Sequence, residues 1–295
     1  MIRRKNSTQF VISVFFSIVA VGLNYLISLV LTPYITENIG TEAYGFVSLA
    51  KTFANYASII TVALNSFSSR FISVEYHKGN YTKANQYFNS VLIADAGLGI
   101  IIMMISGVII FNLQHILTIP AALVHDVKLL FLLDMINFLI LSCSTAFMSA
   151  TVIRNRLELA SIIKCVAYIS EAIFLLLAFH LVTPKVYFVG YSLIVSSAVI
   201  FALNSVVIRK FTPELKISGA DFSWTAVIDI VKNGVWNSVN SLGNTLNTGL
   251  DLIITNMMLS PLRAGQLAIV KTISTIFSTM FQLLAQPFQP LQLKY

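Results

Sequence analysis

The chain has 295 residues, of which 57% are hydrophobic and 11% charged, and its formal net charge is +7. Soluble domains carry about 25% charged residues. So few charges, with a mean hydropathy of +0.82, exclude a soluble globular enzyme, a disordered chain and a disulfide scaffold, and point to an integral membrane protein.

In chain order, Met1–Lys5 is basic and the apolar run behind it continues to about Tyr34, too long for a signal peptide and right for a spanning helix. Eight apolar segments are predicted as helices, at about 10–34, 44–66, 86–111, 127–150, 159–181, 187–208, 233–259 and 264–288. Pro33, Pro120, Pro184, Pro213 and Pro261 fall at or near the gaps, where a missing N–H does least harm. No segment shows the period-two alternation of an outer-membrane barrel strand. The fold class read from this pattern is an all-α polytopic membrane protein with about eight transmembrane helices.

The Lys and Arg inventory gives an orientation. With the N-terminus in the cytoplasm, fourteen of the 19 lie on the cytoplasmic side and Lys128, Lys185 and Arg263 on the outer side, while Lys51 and Lys271 lie within helices. That asymmetry follows the positive-inside rule. The positive charge therefore reads as topology in a cytoplasmic membrane, with no nucleic-acid partner.

The longest polar stretch, 209–232, contains Pro213, Gly219 and the run Asp221-Phe222-Ser223-Trp224. It divides the chain into a six-helix bundle (1–208), a cytoplasmic linker (209–232) and a two-helix unit (233–295). The two parts match at an offset of 220 residues: Asn24 with Asn244, Leu26 with Leu246, Gly45 with Gly265, Lys51 with Lys271, Thr52 with Thr272 and Ser58 with Ser278. A parallel internal repeat follows, with its axis along the membrane normal, as in transporters. The second copy would be incomplete, and the chain reads as a truncated product or part of one.

Enzyme signatures are absent: there is no phosphate-binding loop, nucleophile elbow or nucleotide fingerprint. His77, His115, His125 and His180 lie near helix ends, far apart in sequence, and Cys143 and Cys165 sit inside apolar runs. No catalytic residue, metal site or cofactor is expected.

The signal lies in polar rows at helical spacing. The second helix carries Ser48, Lys51, Asn55, Ser58 and Asn65; the seventh carries Asn237, Asn240, Asn244, Asn247, Asp251 and Thr255; the eighth carries Lys271, Thr275, Ser278, Gln282, Gln286 and Gln289; the first has Ser17, Asn24 and Ser28. Such rows are either polar glue between helices or the lining of a water-filled cavity, and a row of six exceeds what glue needs. Charges within a membrane are costly and usually functional. Lys51 and Lys271 read as a cationic site for an anionic head group, or as partners of Asp251, Asp134 or Glu171 in salt bridges. Asp251, Glu171 and Asp134 are also candidates for ion coupling.

The runs Leu31-Thr32-Pro33-Tyr34, Gly40-Thr41-Glu42-Ala43-Tyr44-Gly45, Ser69-Arg70-Phe71-Ile72 and Gly79-Asn80-Tyr81 resemble the start of bacterial polysaccharide flippases, within the multidrug/oligosaccharidyl-lipid/polysaccharide exporter superfamily. Val231-Lys232-Asn233-Gly234-Val235-Trp236-Asn237-Ser238 resembles their seventh-helix entrance. The resemblance implies two six-helix bundles around a cavity lined by the first two helices of each. It implies flipping of undecaprenyl-diphosphate-linked oligosaccharide by alternating access, with Lys51 and Lys271 at positions comparable to the cationic residues that meet the diphosphate. Lipid-linked oligosaccharide and membrane lipid are the implied partners, with a functional link to polysaccharide polymerase and glycosyltransferases. The alternatives are a cation-coupled multidrug exporter of the same superfamily and an inactive fragment. Ser90, outside the proposed cavity, is expected to tolerate replacement by alanine.

Overall fold

The computed structural model describes residues 2–285, with only the backbone given for 2–8, 10 and 280–285. Gln282, and the Gln286 and Gln289 that follow it in the eighth-helix row, therefore lie outside the described side chains. Eight long helices are joined by short turns: α1 (Ile2–Ile39), α2 (Thr41–His77), α3 (Tyr81–Phe111), α4 (Val124–Phe147), α5 (Leu157–Leu181), α6 (Tyr187–Phe211), α7 (Trp224–Met258) and α8 (Pro261–Ala285). The protein is an all-α polytopic membrane protein.

All eight expected segments are helical, but they are not equally apolar. The segments of α1 to α6 are long and apolar enough to cross a membrane. Although α7 has 35 residues and α8 has 25, neither meets that standard over the described residues. Their Asn, Thr and Ser rows lower the mean hydropathy, so these two helices depend on neighbours rather than on lipid alone.

The helix boundaries follow local chemistry. Gly40 (φ 86°) and Gly79 (φ 77°) adopt the left-handed backbone that only glycine enters without strain, and they separate α1 from α2 and α2 from α3. Asn80 then caps α3, its side chain accepting from the Lys83 N–H at 3.2 Å. Pro33, expected at a gap, lies inside α1, which continues to Ile39.

Two apolar clusters hold the bundle. One, at the end opposite the N-terminus, joins Leu31 and Ile35 of α1, Phe46 and Leu49 of α2, Leu130 and Phe131 of α4, Leu175 of α5, Leu252 of α7 and Ala268 of α8. The other, at the N-terminal end, joins Leu64 and Ile72 of α2, Phe88 and Val91 of α3, Phe147 of α4's last turn, Ile208 of α6 and Ile230 of α7. Between them lies a layer rich in polar side chains.

Helix α2 is the hub, and its closest partner is α7. A Cβ on Gly234 would lie 1.8 Å from the Ala63 carbonyl oxygen, and one on Gly249 would lie 2.6 Å from Thr52 Cγ2. Between these points the Ser238 hydroxyl donates to the Ile59 carbonyl at 2.9 Å. Small residues thus let two helix backbones touch, the standard means of association where lipid removes the hydrophobic drive. At the far end, Asn256 of α7 accepts from the Thr118 N–H at 3.0 Å.

The segment between α6 and α7 is tied to α3 by a ladder of side chains. Asn85 donates to the Glu214 carbonyl (2.8 Å) and accepts from the Lys216 N–H (2.7 Å). Asn89 does the same one step on, to the Lys216 carbonyl (2.9 Å) and from the Ser218 N–H (2.8 Å). Ser90, fully buried, accepts from the Ser223 N–H at 2.8 Å. The Tyr76 hydroxyl donates to the Glu214 carboxylate at 2.6 Å. That bond and a backbone N–H hold the Glu214 carboxyl below its ordinary range. Because folding lowers this value, the contact is fully favourable above the unfolded carboxyl range and fades as pH falls through the folded one.

Ser90 is therefore not the silent position expected from sequence. Ser90→Ala leaves the partly buried Ser223 N–H without its acceptor, which costs about 1 kcal/mol, and thermal unfolding of the purified chain should show a lowered midpoint. Gly234→Ala should lower it as well, by overpacking worth about 1–3 kcal/mol. Gly243→Ala, whose Cβ meets nothing within 4 Å, should leave the midpoint unchanged or slightly raised. Equal effects at Gly234 and Gly243 would contradict the seam.

Candidate functional site

The polar layer encloses a cavity of about 710 Å³ lined by four helices. α1 contributes Asn24, Tyr25 and Ser28; α2 contributes Ser48, Lys51, Thr52 and Asn55; α7 contributes Thr245, Asn247 and Thr248; α8 contributes Lys271, Thr272, Ser274, Thr275, Ser278 and Thr279. These are the four helices that the polar rows single out. Lys51 and Lys271 each lie ten residues beyond the first residue of their helix, about 15 Å along its axis.

Lys51 is the node of the layer. It also lines a cavity of about 390 Å³ with Asn55, Ser58, Asn65, Asp134, Asn137 and Ser142, and one of about 130 Å³ with Asn24, Tyr168, Glu171 and Thr272. Asp134 and Glu171 lie within electrostatic range of its ammonium. Among the described residues it forms no ion pair within 4 Å. Lys271, by contrast, bonds the Asp251 carboxylate and the Thr248 carbonyl of α7.

Of the expected path residues, Lys51, Lys271, Asn24, Asn55 and Asn247 line the central cavity, and Ser58 lines its 390 Å³ neighbour. Asn244 does not: like Asn237 and Asn240 it sits on the exposed face of α7. Gly234, Ser238 and Gly249 turn toward α2, and Thr245, Asn247 and Thr248 line the cavity. Asp251 reaches the site through Lys271 rather than as a lining residue.

Two contacts that sequence reasoning missed lie toward the end opposite the N-terminus. The Tyr44 hydroxyl lies 3.2 Å from both Thr32 Oγ1 of α1 and Thr272 Oγ1 of α8. At the next residue, a Cβ on Gly45 would lie 2.8 Å from the Gly265 nitrogen. The signal for both was the Tyr44-Gly45 pair and its match at Gly265, which periodicity alone does not mark as an interface.

A family model described as polysaccharide biosynthesis protein matches residues 10–288. The chain belongs to the polysaccharide biosynthesis protein family. It is 28% identical over 287 residues to the uncharacterized membrane protein EpsK of Bacillus subtilis (strain 168), covering 97% of this chain and 57% of that protein. A solved structure named only protein A is similar with a TM-score of 0.71 and 17% identity, over 96% of this chain and 64% of that one. An inward-facing multidrug resistance MATE family transporter of the MOP superfamily is similar with a TM-score of 0.68 and 15% identity, over 84% of this chain and 56% of that one. The fold is thus shared with MOP-superfamily transporters, and the chain spans about three-fifths of the length of the proteins it matches.

The Lys271–Asp251 pair is open, with 25% and 47% of the two side chains exposed. Open pairs contribute about 0–1 kcal/mol. A double-mutant cycle of Lys271→Ala and Asp251→Ala, read by thermal unfolding, should give a coupling below about 1 kcal/mol. A coupling several times larger would mean that water does not reach the cavity.

Proposed function

We propose that the protein is an exporter of the flippase type, moving undecaprenyl-diphosphate-linked oligosaccharide across the bacterial cytoplasmic membrane for surface polysaccharide. The observation that carries this reading is the central cavity: two lysines at equal helical depth, surrounded by Asn, Ser and Thr side chains, in a member of this family. The lysines would meet the diphosphate and lower the cost of desolvating it. The amides and hydroxyls would exchange hydrogen bonds with sugar hydroxyls, which favours weak, broad recognition suited to release.

Energetics favour outward movement. A diphosphate carries roughly two negative charges, and each is worth about 2.3 kcal/mol per 100 mV of potential. With the cytoplasm negative, transfer of the head group outward is assisted by about twice that figure. The fourteen-to-three distribution of basic residues supports an N-terminus in the cytoplasm.

The parallel-repeat reading, with 1–208 as the first bundle and 233–295 as the start of the second, is supported by the equal depth of Lys51 and Lys271 and by Gly45 meeting its match Gly265. Alternating access would then rock the second bundle against the first, with Tyr44 releasing Thr32 and Thr272 as the outer end opens. Asp251, Asp134 and Glu171 are the acids placed to answer a coupling ion near the two lysines. No residue in the cavity is assigned a catalytic role.

The test is lipid extracts from cells lacking this gene beside the parent. Mass spectrometry should show diphosphate-linked oligosaccharide accumulating while surface polymer falls. Unchanged precursor and polymer, together with altered drug susceptibility, would favour a cation-coupled multidrug exporter. Lys51→Ala and Lys271→Ala in the complete protein should each reduce polymer export more than membrane abundance. Equal losses would assign the lysines to structural ion pairing.

A further inference from the structure

Away from the two lysines, the polar layer holds a carboxylate with no counterion. Asp95 of α3 is fully buried. Its Oδ1 accepts from Asn65 Nδ2 of α2 at 3.1 Å and from Ser142 Oγ of α4 at 3.2 Å. Its Oδ2 has no partner, and neither has the Asn65 Oδ1. Two acceptor oxygens are thus left bare in one buried spot, where each unmet bond is expensive.

The charged and titratable groups on the helices packed against α3 do not relieve this. They are Glu42, Tyr44, Lys51, Tyr56, Arg70, Glu75, Tyr76 and His77 on α2, His125, Asp126, Lys128, Asp134 and Cys143 on α4, Asp229, Lys232 and Asp251 on α7, and Asp221 in the turn before α7. Among the described residues none forms an ion pair with Asp95. Cys143, next to Ser142 in sequence, is within electrostatic range and offers no positive charge. An isolated anion in such a place is far less stable than a neutral or neutralised group.

We propose that Asp95, held between Asn65 and Ser142, is a proton-binding site served from the central cavity. The bound species is a proton rather than a metal ion. Hard metal cations take about six or more oxygen ligands, whereas three side chains converge here and Asp95 has no accessible surface. The proton adds to Oδ2 from cavity water, turning an orphan acceptor into a donor, and leaves by the same route. Asn65 and Ser142, the two side chains that hold Asp95, both line the 390 Å³ cavity that Lys51 shares with the central one, so the carboxyl sits directly behind that wall. The site ties α2, α3 and α4 together, so its charge state bears on the helix that also carries Lys51. The assignment does not depend on what the protein moves.

The experiment is infrared difference spectroscopy of the full chain in lipid nanodiscs, titrated from about pH 5 to about pH 9, the span in which a buried carboxyl with a displaced ionisation would respond. The C=O stretching band of a protonated carboxyl should titrate in the wild type and be missing from Asp95→Asn. It should persist in Asp134→Asn and Glu171→Gln. Ser142→Ala keeps the carboxyl and removes one donor, so the same band should shift in frequency. An Asp95→Asn spectrum superimposable on the wild type overturns the assignment, as does a band that follows sodium concentration instead of pH. Should Asp95→Asn fail to fold, Ser142→Ala decides, and an unmoved band then overturns it.

Discussion

Inside a membrane a polar group has no solvent to fall back on, and it must find another polar group or an internal pool of water. The arrangement of this protein follows from that constraint. The polar rows of α1, α2, α7 and α8 turn toward one another, and the space between them is the cavity that holds Lys51 and Lys271. The apolar side chains left over gather above and below it in two clusters. The layer between them is therefore where charge can reside, and Lys51, Lys271, Asp251, Asp134 and Glu171 lie in or beside it.

The helix that manages this arrangement is α2. On one side it meets α7, whose Gly234 lies against the Ala63 backbone and whose Gly249 lies against the Thr52 and Tyr56 side chains. On another it offers Tyr44 and Gly45 to α8, and in its middle it presents Lys51 to water and Asn65 to Asp95. A single helix thus touches the contacts at the end opposite the N-terminus, the two-lysine cavity and the buried acid. A displacement of α2 would be felt at all three, a mechanical link that needs no separate relay.

Most of the architecture was legible in the sequence. Apolar segments of spanning length fix the helices, and rows at helical spacing fix which faces of α1, α2 and α8 look inward. The seam between α7 and α2 was not legible from the asparagine row. Gly234, Ser238 and Gly249, which lie against α2, are small residues that a search for polar rows passes over. Asp95 and Ser90 were hidden for a different reason: their partners, Asn65 and Ser142 for one and the Ser223 N–H for the other, are 30 or more residues distant in sequence, and no local pattern encodes such pairings.

The ladder between α3 and the 212–223 segment carries a consequence of its own. Asn85 and Asn89 bond only backbone atoms of Glu214, Lys216 and Ser218, and Ser90 only that of Ser223. The helix grips the crossing segment by its peptide groups and, at these rungs, ignores its side chains. Substitutions can therefore accumulate at Lys216 and Ser218 without loosening the attachment, whereas an inserted or deleted residue would throw every rung out of register. Selection on this stretch should act on its length far more than on its letters.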